Sequence, residues 1–369
     1  MLQAERKQQM ITYLVTGCAG FIGTTFVHYM LAKYTDIRII NLDALTYAGN
    51  LENLKDIESD ERHVFVHGNI CDKELTASLI AKYDPDYIIN FAAESHVDRS
   101  IAGPEIFVTT NVLGTVNLLQ RAKDAWYDAG QKTWKKGKKF IQVSTDEVYG
   151  ALGATGYFTE TTPLDPHSPY SSSKASADLF VKAFHDTYKM PVNITRCSNN
   201  YGMWQFPEKL IPLMINNARN HRKLPVYGDG MQIRDWLYVE DHCKAIDMVA
   251  QGGIDGEVYN IGGHNERPNI FIVKTIIAQL AERLKDPQIN ESLIEHVEDR
   301  LGHDRRYGID PAKIKSDLGW YPETAFETGI VKTIDWYLAN QEWMDRVTSG
   351  EYQKYYETMY ADRERLGDK

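Results

Sequence analysis

The chain has 369 residues, of which 43% are hydrophobic, and it carries a formal net charge of −10 at pH 7. This length allows two domains with a sizeable core, and the composition argues against wholesale disorder. The acidic balance argues against a nucleic-acid partner, because phosphates are neutralised by surplus basic residues.

No metal or membrane partner is expected. The four cysteines form no C-x-x-C pair and the histidines show no zinc-ligand spacing, which favours reduced, buried thiols in a cytoplasmic protein; they are Cys18, Cys71, Cys197 and Cys243. No apolar run approaches the roughly 20 residues that a membrane helix needs. Residues 1–9 are polar and are interpreted as a loose extension.

Strand-like and helix-like segments alternate through the first half of the chain. The predicted strands are 11–15, 38–42, 63–67, 87–91, 139–144 and 192–196, and the predicted helices are 22–32, 73–82, 111–125 and 171–188. This alternation is typical of an α/β fold with a doubly wound parallel sheet. We expect a Rossmann-type domain over residues 10–196.

The regular alternation of strands and helices ends after Cys197, where proline and glycine interrupt shorter elements. Helices are predicted at 208–220, 239–251, 271–284 and 329–338. We expect a smaller, mixed α/β C-terminal substrate domain built from 197–235 and 262–345. Residues 236–261 are expected to rejoin the first domain, and 346–369 to form a peripheral tail.

A glycine-rich turn follows the first predicted strand. Gly17, Gly20 and Gly23 have the spacing G-x-x-G-x-x-G, with Phe21 and Ile22 opening the helix. Glycines permit a tight turn and close approach of the backbone to a pyrophosphate, and the helix N-terminus offers free N–H groups. The turn indicates a dinucleotide site.

Asp43 ends the second predicted strand, about 20 residues after the last glycine, where an acidic residue would hold the adenosine ribose hydroxyls. A carboxylate would repel a 2′-phosphate. We therefore expect NAD rather than NADP, with Asp43 alternatively a solvated turn residue.

Tyr170 and Lys174 are four residues apart on a predicted helix and share one face. A free phenol, with a pKa of about 10, is a poor base at pH 7, but a nearby ammonium favours the phenolate. Tyr170 could then take a hydroxyl proton as hydride leaves the same carbon, while Lys174 could also hold the nicotinamide ribose.

Thr145, Asp146 and Glu147 follow the strand predicted to begin at Lys139. Carboxyl ends of strands in open parallel sheets face the ligand crevice. Adjacent side chains of a regular strand point to opposite faces, so both acids reach one substrate only if the backbone turns after Thr145. The alternative is a solvated pair of acids in a turn.

These residues, with further motifs, resemble the extended short-chain dehydrogenases and, within them, closely the dTDP-glucose 4,6-dehydratase family. The resemblance runs from about Met10 into the C-terminal region. Its motifs are residues 43–50 (DALTYAGN), 92–100 (AAESHVDRS), 144–150 (STDEVYG), 198–202 (SNNYG), 206–212 (FPEKLIP), 234–236 (RDW) and 302–307 (GHDRRY).

The resemblance implies a hydro-lyase with a tightly bound, internally recycled NAD. Tyr170 would assist oxidation at C4 of the sugar, with Thr145 bonding the same oxygen. Glu147 would then remove the C5 proton and a protonated Asp146 would supply the proton to the departing C6 hydroxyl. Return of hydride to C6 would give a 4-keto-6-deoxy sugar, used in deoxysugar biosynthesis such as that of rhamnose.

The resemblance also implies the binding residues and a homodimer. The dimer would form through the helices near 111–123 and 170–188. Cofactor contacts would come from Gly17, Gly20, Phe21, Ile22, Gly23, Asp43, Ala44, Leu45, Thr46, Asn69, Ile70, Ala92, Ala93, Ser95, Tyr170, Lys174 and Asn200. Contacts with the nucleotide sugar would come from Ser95, Thr145, Asn199, Lys209, Leu210, Pro225, Tyr227, Arg234, Asn269 and His303.

Three positions depart from the family pattern. Asn69 stands where an aspartate usually meets the adenine, Leu301 stands where a proline is usual, and the segment 151–167 is shorter than in many relatives. With these departures, the family pattern supports the predicted reaction type better than it supports the identity of the hexose. Alternatives are a UDP-linked dehydratase, a 4-epimerase of the same fold, and a catalytically idle NAD-binding protein. Arg234, in turn, could form a surface ion pair with Asp235.

Overall fold

The apolar runs of the first half form parallel strands, and the amphipathic stretches between them form helices. The computed structural model describes residues 10–349. The predicted extension at 1–9 and residues 350–369 of the predicted tail lie outside these residues.

The strands are β1 (Ile11–Thr16), β2 (Ile37–Asp43), β3 (His63–His67), β4 (Tyr87–Asn90), β5 (Tyr127–Asp128), β6 (Thr133–Trp134), β7 (Lys139–Thr145), β8 (Val192–Cys197), β9 (Asn199–Tyr201), β10 (Leu224–Tyr227), β11 (Ile233–Tyr238), β12 (Val258–Ile261), β13 (Glu266–Pro268) and β14 (Ile294–Val297).

The α-helices are α1 (Phe21–Lys33), α2 (Lys73–Tyr83), α3 (Val97–Ala102), α4 (Glu105–Phe107), α5 (Thr115–Trp126), α6 (Pro169–Tyr188), α7 (Leu210–Arg219), α8 (Val239–Gly252), α9 (Asn269–Leu284), α10 (Ala312–Leu318), α11 (Phe326–Ala339) and α12 (Gln341–Val347). A π-helical stretch, Val108–Gly114, joins α4 to α5 without a break in helical backbone angles. Each helix and strand predicted above has a counterpart here, with ends shifted by a few residues.

Contacts divide the chain into two units. Among the described residues, unit 1 contains 10–144, Pro169–Arg196 and Cys243–Tyr259. Unit 2 contains Thr145–Ser168, Cys197–His242 and 260–349. This grouping differs from the predicted domains at Thr145–Ser168, which were expected in the first domain, and at 236–242 and 260–261, which were expected to rejoin it.

The main sheet has seven strands in the order β12-β8-β7-β4-β1-β2-β3. The pairs β1–β2, β1–β4, β2–β3 and β4–β7 are parallel, as expected for a Rossmann-type doubly wound sheet. The strand order reverses between β1 and β4, which is where such sheets bind ligands at their carboxyl edge. The core of unit 1 packs against this sheet and includes Leu14, Ile40, Leu118 and Phe140.

Unit 2 holds a three-stranded sheet in the order β13-β11-β9 and a parallel pair, β10–β14. Its core includes Tyr201, Trp236, Ile276 and Tyr337, which are all buried. These short strands carry polar residues of the sequence motifs, such as Asn199 on β9 and Arg234 on β11.

Candidate active site

The glycine turn between β1 and α1 has the geometry of a dinucleotide cradle. Gly17 has a φ of +69°, and a Cβ there would lie 2.7 Å from the backbone nitrogen of Ala92. A Cβ on Gly23 would lie 2.2 Å from the carbonyl oxygen of Gly17. Gly20 caps α1 without a side-chain hydrogen bond, so no capping side chain occupies the first N–H groups of the helix. The close backbone contacts explain why glycine stands at 17 and 23, and the turn remains the predicted pyrophosphate site.

Asp43 ends β2 and is buried beside this turn. Its Oδ2 accepts a hydrogen bond from the Ala19 backbone at 2.8 Å, and its Oδ1 accepts one from the Leu45 backbone at 2.8 Å. Burial raises the pKa of Asp43, while these two N–H groups oppose the rise. Each oxygen keeps a second lone pair for a ribose hydroxyl. The carboxylate is thus a structural part of the turn as well as a candidate ribose ligand.

The other predicted cofactor residues of unit 1 cluster at the carboxyl ends of neighbouring strands. They are Ala44, Leu45 and Thr46 after β2, Asn69 and Ile70 after β3, and Ala92, Ala93 and Ser95 after β4. Thr16 ties this edge together, since its hydroxyl donates to Asn90 Oδ1 at 2.6 Å and accepts from the Ala92 backbone at 3.2 Å. Asn69 is exposed, and its Oδ1 accepts from the Cys71 backbone at 2.8 Å.

Tyr170 and Lys174 lie one turn apart on α6, as predicted. Both are buried, and Lys174 Nζ donates to the carbonyl oxygen of Val143 in β7 at 2.7 Å. The edge of the Tyr170 ring packs against Phe107, with ring centroids 6.4 Å apart. The lysine is therefore fixed near the carboxyl end of a central strand.

The backbone bends after Thr145, as the acid pair requires. β7 ends at Thr145, and the next residues form a 3₁₀ turn, Asp146–Tyr149. Thr145 caps this turn: its hydroxyl accepts from the Glu147 backbone at 3.3 Å and donates to Asp146 Oδ1 at 3.3 Å. Asp146 Oδ2 is buried and has no hydrogen-bond partner within residues 10–349.

The two acids have different electrostatic surroundings. Burial, and next the charges of Glu147 and Asp235, raise the pKa of Asp146 well above its usual value. Burial also raises the pKa of Glu147, but the cations Arg234, Arg300 and Lys209 oppose that rise. Asp146 is thus the better proton donor, and Glu147 the better base.

Arg234 is buried on β11 and stacks over the Tyr307 ring, 4.2 Å from its centroid. It donates to the carbonyl oxygens of Ile233 at 2.8 Å and Asp304 at 2.9 Å. The carboxylate of its neighbour Asp235 accepts from the backbones of Gly263 and Asn265. These contacts hold the Arg234 guanidinium in place, and its positive charge acts on both Asp146 and Glu147.

Tyr227 and His303 are brought together in unit 2, with ring centroids 6.1 Å apart. His303 Nδ1 lies 2.6 Å from Asp299 Oδ1, and Asp299 Oδ2 accepts from Gln232 at 2.7 Å. The Arg300 guanidinium lies over the Tyr227 ring, 5.2 Å from its centroid. The arrangement offers aromatic and cationic contacts suited to a nucleotide.

The remaining predicted substrate residues occupy ends of elements in unit 2. Lys209 caps α7 and Leu210 begins it, Pro225 lies on β10, Asn269 begins α9, and Asn199 lies on β9. Asn200, predicted as a cofactor contact, follows Asn199 on β9. The side-chain oxygens of Asn199 and Asn269 are buried without a hydrogen-bond partner in the described part of the chain.

Sequence reasoning missed Arg300 and Arg306. Arg306 forms a two-pronged ion pair with Glu266 at 2.9 and 3.0 Å and donates to the Gly156 carbonyl at 2.9 Å. Phe158 bridges to Ile309, so the short segment 151–167 is pinned along residues 306–310. Arg300 lies just before the motif at 302–307 and Arg306 lies within it. That motif was the sequence signal that could have identified both arginines.

Residues 10–349 contain neither a candidate metal-binding cluster nor a membrane-spanning helix. No cluster of three or more His, Cys, Asp or Glu side chains is placed to hold a metal ion there. None of the helices in that range is long and apolar enough to cross a membrane. None of the four cysteines is in a disulfide; Cys71 is half-buried and the others are buried.

The chain is similar to known nucleotide-sugar dehydratases. A family described as GDP-mannose 4,6 dehydratase matches residues 14–333. A dTDP-glucose 4,6-dehydratase of Xanthomonas campestris pv. campestris is 54% identical over 346 residues, which cover 93% of this chain and 98% of that protein.

Two solved structures share the fold. A dTDP-glucose 4,6-dehydratase from Bacillus anthracis in complex with NAD is 50% identical, with a TM-score of 0.82, and the match covers 91% of this chain and 99% of that one. A dTDP-glucose 4,6-dehydratase from Streptomyces venezuelae with NAD bound is 45% identical, with a TM-score of 0.84 and coverage of 91% and 100%. The chain therefore belongs to the dTDP-glucose 4,6-dehydratase family of extended short-chain dehydrogenases.

Proposed function

We propose that this protein converts dTDP-glucose to dTDP-4-keto-6-deoxyglucose by NAD-dependent loss of water. The observation that carries the proposal is the acid pair on the turn after β7, in which Asp146 is buried and the charges of cations act on the partly buried Glu147. A 4-epimerase needs the tyrosine and lysine but has no use for such a pair. The names of the related enzymes support the dTDP-linked sugar over a UDP-linked one.

Oxidation at C4 is assigned to α6 and Thr145. Bound NAD supplies a hydride acceptor for C4 and, later, a hydride donor for C6. Tyr170 takes the proton of the C4 hydroxyl, and Thr145 bonds the same oxygen. Lys174 favours the phenolate and is held by the Val143 carbonyl.

Elimination is assigned to Asp146 and Glu147. A 4-ketone acidifies the proton on C5, which the ionised Glu147 removes. Asp146, whose pKa burial raises well above its usual value, gives its proton to the C6 hydroxyl as it departs as water. Reprotonation at C5 returns Glu147 to its ionised form.

Binding of the substrate's nucleotide is assigned to unit 2. Arg234 suits the diphosphate because a guanidinium makes paired bonds with phosphate oxygens. Ser95, Asn199, Lys209, Leu210, Pro225, Tyr227, Asn269 and His303 complete the proposed contacts. The cofactor residues named from the sequence, including the glycine turn and Asp43, are proposed to hold NAD.

The reaction can be tested in deuterated water with dTDP-glucose and no added NAD. We expect a 4-keto-6-deoxy product with deuterium at C5 and no net NADH, measured by NMR and by absorbance. Unchanged substrate, or a C4 epimer, would contradict the proposal. A parallel assay with UDP-glucose, expected to turn over poorly, tests the choice of nucleotide.

Glu147→Gln separates the two stages of the reaction. This variant lacks the base, so we expect NADH to accumulate after C4 oxidation while water loss falls by at least about a hundredfold. Asp146→Asn is the matched control, since it removes the acid and keeps the base; C5 deuterium exchange should survive in it. Full product formation by Glu147→Gln would refute the assigned role.

We also propose a homodimer, as the family resemblance implied. Leu113, and Leu179 and Phe180 on α6, are exposed apolar side chains on the two predicted interface helices, and Val108 is exposed just before the first of them. Exposed apolar side chains on neighbouring helices favour a protein partner. The absence of a disulfide among the four cysteines supports a reducing compartment, and we propose the cytoplasm.

A further inference from the structure

We infer that His242 is a positioning residue for the cofactor: it fixes the side-chain amide of Asn200 so that one amide N–H is directed to the bound dinucleotide. The inference rests on the proposed function, because the contact between Asn200 and NAD is itself proposed. Nothing in the sequence motifs singled out His242.

The two residues meet in unit 2. Asn200 lies on β9 and is paired in register with Leu237 on β11. His242 lies in the first turn of α8, and its Nδ1 is 2.9 Å from Asn200 Oδ1. Asn200 Nδ2 donates to the Ser198 carbonyl at 3.0 Å. Both atoms of the amide head group are therefore engaged.

These contacts determine the protonation of the ring. The Ser198 carbonyl can only accept, so the amide group that faces it is Nδ2. Oδ1 must then face His242, and an acceptor there requires that Nδ1 carries the proton. Burial lowers the pKa of His242 to about 3, so the ring is neutral in this single tautomer at physiological pH.

One donor of the amide remains. Nδ2 has two N–H groups, and Ser198 takes one; no second acceptor for Nδ2 occurs in the described range. The dinucleotide offers matching acceptors, namely the carboxamide oxygen of the nicotinamide and the phosphate oxygens. The Asn200 backbone is also fixed, because its carbonyl accepts from Gln205 at 3.0 Å.

His242 acts through Asn200 and not by touching a ligand. Its side chain is completely buried, at 0% exposure. Its Nε2 is a buried acceptor with no partner among residues 10–349. An unpaired buried acceptor costs stability, so packing alone does not account for a histidine here.

The test measures NADH binding to NAD-free protein by fluorescence titration, with dTDP binding measured by calorimetry on the same samples. His242→Leu removes the donor, whereas His242→Asn places an amide N–H where Nδ1–H was. We expect His242→Leu to weaken NADH binding about tenfold, the effect of one misdirected hydrogen bond, and His242→Asn to restore it to within about twofold. Affinity for dTDP should stay unchanged in both.

Asn200→Ala should weaken NADH binding at least as much, and adding His242→Leu to it should cause no further loss. Added NAD should raise the activity of His242→Leu and leave that of the unmodified protein unchanged. His221→Leu, at a half-exposed histidine of unit 2 that pairs with Asp286, is the control.

The outcomes separate the inference from the proposed function. Unchanged NADH affinity in His242→Leu, or equal losses for NADH and dTDP, would overturn the positioning role. If Asn200→Ala left NADH affinity unchanged, the proposed cofactor contact of Asn200 would fail, and the inference with it, whereas the dehydratase reaction would still be observed.

Discussion

At the residue scale, the surroundings of Asp146 and Glu147 fit the opposite tasks that we propose for these adjacent carboxyl groups. Both pKa values rise through burial, but cations oppose the rise mainly at Glu147. Activity needs Glu147 ionised, so it falls as the pH drops through the pKa of Glu147. Activity also needs Asp146 protonated, so it falls as the pH rises through the pKa of Asp146.

Arg300→Leu tests this balance. Removing a cation that favours ionised Glu147 should raise the pKa of Glu147 further, which shifts the acidic limb of the kcat profile to higher pH. KM should rise as well, because Arg300 stacks on Tyr227. The measurement is kcat at saturating dTDP-glucose across pH.

Arg305→Leu is the matched control for Arg300→Leu. Arg305 is an exposed cation in the same loop, paired with Asp229 at 2.8 Å. Its removal should leave the acidic limb in place. An equal shift in both variants would mean that general charge, and not the neighbour of Glu147, governs the profile.

At the element scale, α6 is anchored through a buried ion pair. Arg196 Nε on β8 donates to Asp178 Oδ2 at 2.9 Å, and both side chains are buried. Asp178 lies one turn after Lys174, and the charges of Arg196 and Lys174 oppose the rise that burial causes in its pKa. This carboxylate thus holds the helix that carries Tyr170 and Lys174.

Asp178→Asn should lower the free energy of unfolding by about 3 kcal/mol, because it removes the carboxylate that faces buried cations. Asp186→Asn changes an exposed carboxylate on the same helix, paired with Lys182 at 3.1 Å, and should cost less than about 0.5 kcal/mol. Denaturant unfolding measures both values. Similar small losses would show that the buried pair does not anchor α6.

At the scale of the whole molecule, the chain passes repeatedly between the two units, so neither unit is one continuous stretch. The exposed apolar side chains on the α4–α5 stretch and on α6 belong to unit 1. Self-association of the whole molecule can therefore be tested directly by changing these side chains.

The double variant Leu113→Glu/Leu179→Glu should be monomeric, since two charges would enter an apolar interface. Sedimentation velocity or light scattering measures the mass. Ile254→Glu, at an exposed apolar residue of unit 1 in the loop after α8, should leave the dimer intact. A monomer in the unmodified protein would contradict the proposal directly.

The sequence by itself determined the alternating elements of the sheet, the glycine turn with Asp43, and the shared helical face of Tyr170 and Lys174. These features depend on spacing and on local backbone preferences, which a linear pattern carries. The need for a bend after Thr145 was also readable, because an extended strand cannot aim adjacent acids at one substrate.

Only the tertiary structure decided which cations face Glu147, that Arg306 pins the segment 151–167, and that His242 holds Asn200. Arg306 and Gly156 are 150 residues apart, and His242 and Asn200 are 42 apart. Such partners are chosen by the packing of strands and helices from distant parts of the chain. Their spacing in the sequence therefore carries no periodic signal. Burial, which raises the pKa of Asp146 and lowers that of His242, exists only in the folded protein.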